Sequence, residues 1–553
     1  MLAAALSGAG ATARGEDAAD LILTHGFFYP VASVVAPGKI AGGLAVRGGR
    51  IVYLGDDAGA AAFRGPATEV IDLAGRAVTP GLIDAHSHLT SLGAALTQVD
   101  LVGAASYEEV VRRVAAAAAK LPPGAWVFGR GWDQNRWPDQ RFPSHGPLSA
   151  AVPGRPVWVD RVDGHAALLN ARAMELLGIA ADTPDPAGGR FVRDSDGRPS
   201  GVLIDNAMDA YWARLPGPSA AELAERIRLA AAHCLAVGLT TVTEMGIGEA
   251  PLAAYRSLRD AGELPIRVMA FVADQPALLD RWFAAGPAID PEARFTVRGV
   301  KLYADGALGS RGAALIEPYQ DDPGNLGLLV SSEDHLREVA ARAVAAGFQV
   351  AIHAIGDRGN LVALDALEAA LGGPRPELRE RIEHAQVMRL QDVARLARLG
   401  VIASMQPTHA TSDMPWAGDR VGERRLAGAY AWRKVLAAGG CLVLGSDFPV
   451  ESADPRLGLH AAVTRQDPAG QPPGGWLPGE RLSREEALAG FTRDAAYALF
   501  LDGEVGTLEV GKRADLTVFA ADPMTVPAAE IPRVAVDLTV VEGAVAFRRE
   551  GAW

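Results

Sequence analysis

The chain has 553 residues, of which 49% are hydrophobic, and a formal net charge of −13 at neutral pH. That acidic balance argues against nucleic acid as a partner, and no apolar run approaches the roughly 18–20 residues that a membrane span needs. The two cysteines, Cys234 and Cys441, lie far apart and outside any C-x-x-C pattern, which excludes a disulfide framework and points to inert thiols.

Residues 1–18 are rich in small side chains. Ala11-Thr12-Ala13 has the small-x-small form of a cleavage site, yet no basic residue precedes it and the apolar part is short. They are read as a disordered or leader segment, with the cytoplasm as the expected location and the periplasm as the alternative. Residues 19–79 follow as short alternating or apolar runs with glycine breaks, such as "LILTHGFFYP" and "GGLAVRGGRIVYLG"; these are strands, joined by a short helix near Ala58–Phe63. Residues 498–553 read the same way. Neither piece is large enough for a good core of its own, so the two chain ends are expected to combine into one small β-sandwich domain.

The middle, residues 80–497, alternates. Helical periodicity covers Ser106–Lys120, Ala220–Val237, Pro251–Ala261, Glu333–Ala346, Gly359–Leu371 and Leu390–Leu399. Apolar strand candidates follow Pro80 and occur at Thr240–Met245, Arg267–Ala273, Gly299–Ala304, Phe348–Gly356, Arg381–Gln386, Val401–Pro407 and Cys441–Pro449. Strand and helix in turn predict a parallel sheet, and about eight strands favour a (β/α)8 TIM-like barrel, an α/β fold, over a doubly wound sheet. The stretch from about 125 to 205, rich in proline, glycine and tryptophan, breaks the repeat. It is read as an insertion near the active-site mouth, with a hairpin at Phe191–Val202, that lends the cavity an apolar, partly aromatic character.

The chemistry starts at "PGLIDAHSHL". Residues i and i+2 of an extended segment face the same way, so His86 and His88 are able to share one ion. His353 in "FQVAIHAIGD", His384 in "RIEHAQ" and Asp447 in "CLVLGSD" sit at the ends of apolar runs, and Lys301 lies inside "GVKLYADG". In a parallel barrel every strand's C-terminal end opens on one face, which would gather these six groups. Imidazole and carboxylate donors suit zinc and similar divalent ions. For Lys301 the residues leave two readings open: a carbamate bridging two ions, or an ordinary lysine pairing with Asp305 or lining the pocket.

These motifs in this order, with "GRGWDQNRWP" and "RVDGHAALLN", resemble the amidohydrolase superfamily, in particular its family 3 branch of N-substituted formamide deformylase-like enzymes. The resemblance implies a metal-dependent barrel holding one or two divalent ions, zinc in the family pattern. It makes His86, His88 and Asp447 ligands of the deeper ion, His353 and His384 ligands of a second, and Lys301 the carboxylated bridge. It implies hydrolysis of a non-peptide carbon–nitrogen bond in an amide, formamide or cyclic amide by metal-activated hydroxide. Asp447 serves as base and then acid, and His384 orients the carbonyl if a single ion is bound.

Five further residues are candidate substrate contacts: His165, Trp132, Asp305, Arg311 and His409. For His165 the alternative is a cap on the following helix, and for Arg311 and Asp305 a mutual ion pair. Glu244 is a candidate support for a ligand histidine. His25, His145, His233, His335 and His460 are read as structural. The expected partner is a small molecule, without nucleic acid or membrane, and a homodimer is left open. Two other classes stay in view: a metal-dependent lyase or isomerase on the same barrel, and a non-catalytic binding protein.

Overall fold

The computed structural model describes residues 18–32, 38–122, 124–215 and 217–553. The segment expected as a leader falls, apart from Ala18, outside the described residues. Eight parallel strands pair in chain order: β1 Leu82–Asp84, β2 Leu239–Ile247, β3 Arg267–Ala273, β4 Phe295–Tyr303, β5 Gln349–Ala354, β6 Arg381–His384, β7 Ile402–Met405 and β8 Leu442–Leu444. Their residues are almost all buried, as strands covered by helices outside and side chains inside must be. Helices at Ala220–Ala236, Glu249–Asp260, Glu333–Ala345, Asp357–Leu371 and Leu390–Leu399 lie within one or two residues of the sequence-derived spans. Their apolar faces join the largest core, between barrel and shell. A separate cluster drawn from several strands (Ile83, Met269, Phe271, Ala351, Ile402, Val443) meets Ala495, Ala496 and Leu499; the helix Arg493–Ala498 thus closes the end of the barrel away from the strand C-termini.

No hydrogen-bonded ladder joins β1 to β8 among the described residues. The seam is closed just beyond the strands instead. Ala85 donates its amide to Leu444 (3.2 Å), Asp447 donates to the carbonyl of His86 (2.8 Å), and His88 donates to that of Phe448 (2.9 Å). Buried Asp84 accepts from the Ser446 amide and hydroxyl, the latter at 2.6 Å, and from the His86 amide. A Cβ on Gly445 would lie 2.6 Å from Asp84 Oδ1, so this crossing requires glycine there.

Both chain ends enter one eight-stranded sheet. Leu516–Phe519 pairs antiparallel with Ala77–Pro80, Thr517 opposite Thr79. The strands form a single connected sheet over its own apolar core of Leu23, Leu44, Ile51, Val78, Leu516 and Leu538. It is fixed to the barrel by the buried pair Arg267–Asp515 (2.7 Å) and by Thr517, which donates to the Gly238 carbonyl (2.7 Å).

The insertion builds a third, six-stranded sheet running from Gly189–Arg193 through Pro199–Asp205, Ala166–Leu169, Val157–Arg161 and Val127–Trp132 to Val99–Asp100. It therefore begins near Val99, earlier than the break in composition at 125, and claims the helix Tyr107–Ala118. That helix buries Val110, Val114 and Ala118 against the insertion's strands rather than the barrel. The expected hairpin is present, Phe191 opposite Leu203. Two apolar cores cover the sheet's faces, one around Trp132, Trp137 and Leu148, the other around Trp158, Met174, Phe191 and Tyr211.

Candidate metal centre

All six strand-end residues line one cavity of about 940 Å3 at the C-terminal mouth of the barrel. His86 and His88 direct their Nε2 atoms at the same oxygen, Asp447 Oδ1, at 3.4 and 3.1 Å. A second set, His384, His409 and Asp447, lies with its donor atoms mutually within 4.8 Å, as do those of the first. The imidazoles form a ribbon: ring centres are 5.5 Å apart from His88 to His86, 4.8 Å from His86 to His384, 4.6 Å from His384 to His353 and 5.1 Å from His353 to His165. Backbone geometry aims one of these rings and the carboxylate. His384 and Asp447 have φ of 70° and 62°, an uncommon region for side-chain-bearing residues that is held where the surroundings demand it.

In three of the rings the nitrogen that faces away from the centre has a partner. His86 Nδ1 meets Glu383 Oε2 at 2.5 Å, His88 Nδ1 meets the Met245 carbonyl at 3.1 Å, and His384 Nδ1 meets Gln406 Oε1 at 2.8 Å. Such contacts fix the tautomer and leave Nε2 as the donor to an ion. Burial lowers the basicity of His86, reinforced by the Lys301 charge and opposed by Glu383 and Asp447. Burial and the neighbouring His353 hold His384 well below the usual histidine range. Both are therefore neutral at pH 7, the form that binds metal. Burial alone would raise Asp447, but the surrounding imidazoles outweigh it and keep its carboxyl strongly ionised. This donor set, two oriented imidazoles converging on a carboxylate, fits a divalent cation.

Lys301 is buried, with its Nζ 4.9 Å from the centre of the Tyr303 ring. Burial pushes its ammonium down to about 8 against the attraction of Glu383 and Asp447, with Arg381 adding to the fall.

A family model described as "Amidohydrolase family" matches residues 69–547. The chain belongs to the amidohydrolase family. It is 30% identical over 541 residues to the N-substituted formamide deformylase of Arthrobacter pascens, covering 94% of this chain and 98% of that one. It is 35% identical over 519 residues to the Arabidopsis thaliana protein LONG AFTER FAR-RED 3, covering 91% and 88%. An uncharacterised metal-dependent hydrolase from Pyrococcus furiosus superimposes with a TM-score of 0.72 at 34% identity, over 91% of this chain and all of that one.

Within this amidohydrolase the softer expectations divide. His165 and His409 line the cavity. The helix after His165 is capped by Asn170, which removes the capping alternative. His165 Nδ1 lies 2.7 Å from Asp205 Oδ1; burial disfavours its charge, but the Asp205 hydrogen bond and charge, aided by Asp163 and Asp447, raise it to about 9. His409 Nε2 lies 3.7 Å from Asp447 Oδ2 and makes no hydrogen bond.

Trp132 is a correction. It is fully buried in the insertion's core, donating Nε1 to the Val159 carbonyl at 2.8 Å, and it is absent from the cavity lining. The tryptophans of this region fill the insertion instead of facing substrate, because a sheet outside the barrel has two faces of its own to cover. The wall it presents to the cavity carries the charged residues Arg130, Asp133, Arg136, Arg161 and Asp163. Arg311 is a second correction: it pairs with Asp321 at 2.8 Å and stands outside the lining. Asp305 does not pair with it. Asp305 reaches the cavity wall, yet its oxygens accept the amides of Ala314, Ile355 and Gly356 at 2.8–2.9 Å, so it shapes the loop behind His353. Glu244 supports no ligand ring directly; it accepts from the Thr90 amide (3.0 Å) and the Tyr255 hydroxyl (2.6 Å), holding the helix that begins after His88. His233, expected to be structural, sits on its helix at the cavity rim. Cys234 and Cys441 are both free.

Sequence reasoning missed Glu383 and Arg381. Arg381 donates to both Glu383 oxygens, at 2.7 and 2.9 Å, and to the Ala85 carbonyl at 2.6 Å. Burial opposes ionisation of Glu383, but Arg381 and His86 override it and hold the carboxyl far below its normal range. The signal was in "RIEH": opposite charges two apart on a buried strand face inward together and must pair there.

Proposed function

We propose that this amidohydrolase cleaves a non-peptide carbon–nitrogen bond of a small molecule, in an N-substituted formamide, an N-acyl amine or a cyclic amide. The convergence of His86 Nε2 and His88 Nε2 on Asp447 carries this reading, supported by alignment with the formamide deformylase along 94% of the chain. His86, His88 and Asp447 would hold one divalent ion; His353, His384 and Lys301 would hold a second. Nitrogen and carboxylate donors favour zinc. Lys301, buried and weakly basic, is suited to react with carbon dioxide as its free amine, and the resulting carbamate would supply the negative charge that an ammonium lacks.

When bound, a divalent ion supplies two things here: a water that ionises near neutral pH and polarisation of a carbonyl. The chain's own groups do the rest. Asp447 Oδ1, between the two imidazoles, accepts a proton from the attacking water and returns it to the departing nitrogen as the carbon–nitrogen bond breaks, acting as base and then acid. His384, braced by Gln406, orients the carbonyl. Glu383 holds His86 in the tautomer that leaves Nε2 free.

The test combines metal quantification on the purified protein with a panel of N-formyl, N-acyl and cyclic amides, read by amine release. Stoichiometric divalent metal and chelator-sensitive amine release are expected. Stoichiometric metal with no amine release from any member, and turnover of a lyase or isomerase substrate instead, would replace the reading.

A further inference from the structure

The insertion sends one side chain to the ribbon of imidazoles, and the fold goes to some length to aim it. His165 precedes the strand Ala166–Leu169, and its ring stands 5.1 Å from that of His353, centre to centre. Its Nδ1 is committed to Asp205 Oδ1 at 2.7 Å, and the Asp205 amide donates to the His165 carbonyl at 3.1 Å. Asp205 itself is bent to φ 50°, ψ −126° where its strand gives way to the helix Asn206–Trp212. Strain of this kind at a buried polar residue persists where the surroundings enforce it, often at functional positions.

The surroundings are the loop after β4. A Cβ on Gly306 or on Gly312 would lie 2.5 Å from Asp205 Oδ2, so two glycines let the loop close over that oxygen. Oδ2 is buried and accepts no hydrogen bond. The His165 imidazole is the side chain that holds this carboxyl, through its other oxygen. With Nδ1 held by Asp205, Nε2 is the ring nitrogen left over. It meets no protein partner among the described residues, and the ring lines the cavity.

We propose that His165 is the group through which the insertion enters the reaction: its Nε2–H donates a hydrogen bond to the substrate oxygen that gathers negative charge during hydrolysis, and Asp205 is the positioning residue that aims it. The acceptor is thus a carbonyl or tetrahedral oxygen held beside His353. The proposal rests on the hydrolase reading above, and its test is kept separate from turnover.

The probe is phenylphosphinate, a tetrahedral anion, titrated calorimetrically into the full-length metal-loaded enzyme, with metal content and thermal unfolding measured on each variant. Losing a hydrogen bond to a charged oxygen should weaken binding by about 30-fold in His165→Met. His165→Gln, which keeps an N–H donor, should stay within about fivefold of wild type, and Asp205→Asn should fall between them, at about tenfold. All three should keep full metal. Equal phosphinate affinity in wild type and His165→Met overturns the proposal, as does absence of phosphinate binding by the wild type or loss of metal from His165→Met, which would make the ring a support of the ion site. Because affinity is read whether or not an amide is cleaved, failure of the amide panel would leave this result standing on its own.

Discussion

The barrel and the insertion treat polar side chains in opposite ways. At the barrel mouth, donors are left open on one side: His86, His88 and His384 each have one nitrogen held by the protein and the other turned to a common centre. In the insertion, charge is spent internally. Arg161, fully buried, is bound by Gln134, Asp133 and Asp163 together, and the aromatic rings fill its two cores. One region is built to bind something missing from the chain, the other to hold itself together and present a wall. His165 is an exception, a place where the insertion behaves like the barrel, with one ring nitrogen held by Asp205 and the ring turned to the cavity.

This contrast is open to attack by substitution. The largest effect belongs to Asp447→Asn, which removes the proton acceptor: amine release should fall by about 10³-fold or more, with circular dichroism and unfolding temperature close to wild type. Retained turnover would take Asp447 out of the chemistry. Trp132→Ala should do the reverse, costing about 3–5 kcal/mol of stability through the emptied core, measured by denaturant unfolding, while metal stoichiometry at the mouth is preserved; a change in substrate preference without loss of stability would mean that the ring faces the cavity after all. Glu383→Gln leaves the ligands in place but loosens His86, so metal affinity should drop by about 10–100-fold in competition titrations with a chromophoric chelator. Arg311→Ala should be the mildest. It breaks a partly exposed pair with Asp321 worth about 1 kcal/mol or less, and KM should not move; a raised KM would return it to the site.

Much of the barrel was legible because its rule is local. A buried parallel strand reads as an apolar run, and a functional side chain at its end declares its own position, as His353, His384 and Asp447 do. Even the His86–His88 spacing kept its meaning although β1 stops at Asp84, since the chain that bends beyond it still brings both Nε2 atoms to Asp447. The insertion offers no such rule. The pattern of Ser106–Lys120 says that a helix has an apolar face, and is silent about which sheet that face covers. Trp132 and Arg311 misled for a related reason: burial against a neighbouring element and pairing with Asp321 are long-range facts, and composition near a motif cannot separate a core from a wall. Glu383 was recoverable, from charge alternation within a strand; Asp205, forty residues from His165, was not.

The seam where β1 meets β8 has a consequence for how the protein matures. His86 and Asp447, whose backbones bond to each other across it, are separated by most of the barrel in the chain. During synthesis the histidine pair leaves the ribosome long before its carboxylate partner exists, so a stalled or truncated polypeptide ending before residue 447 carries half a binding site. On the proposed reading, ion capture would act as a late seal on the closed ring, rewarding only chains whose last strand has found the first.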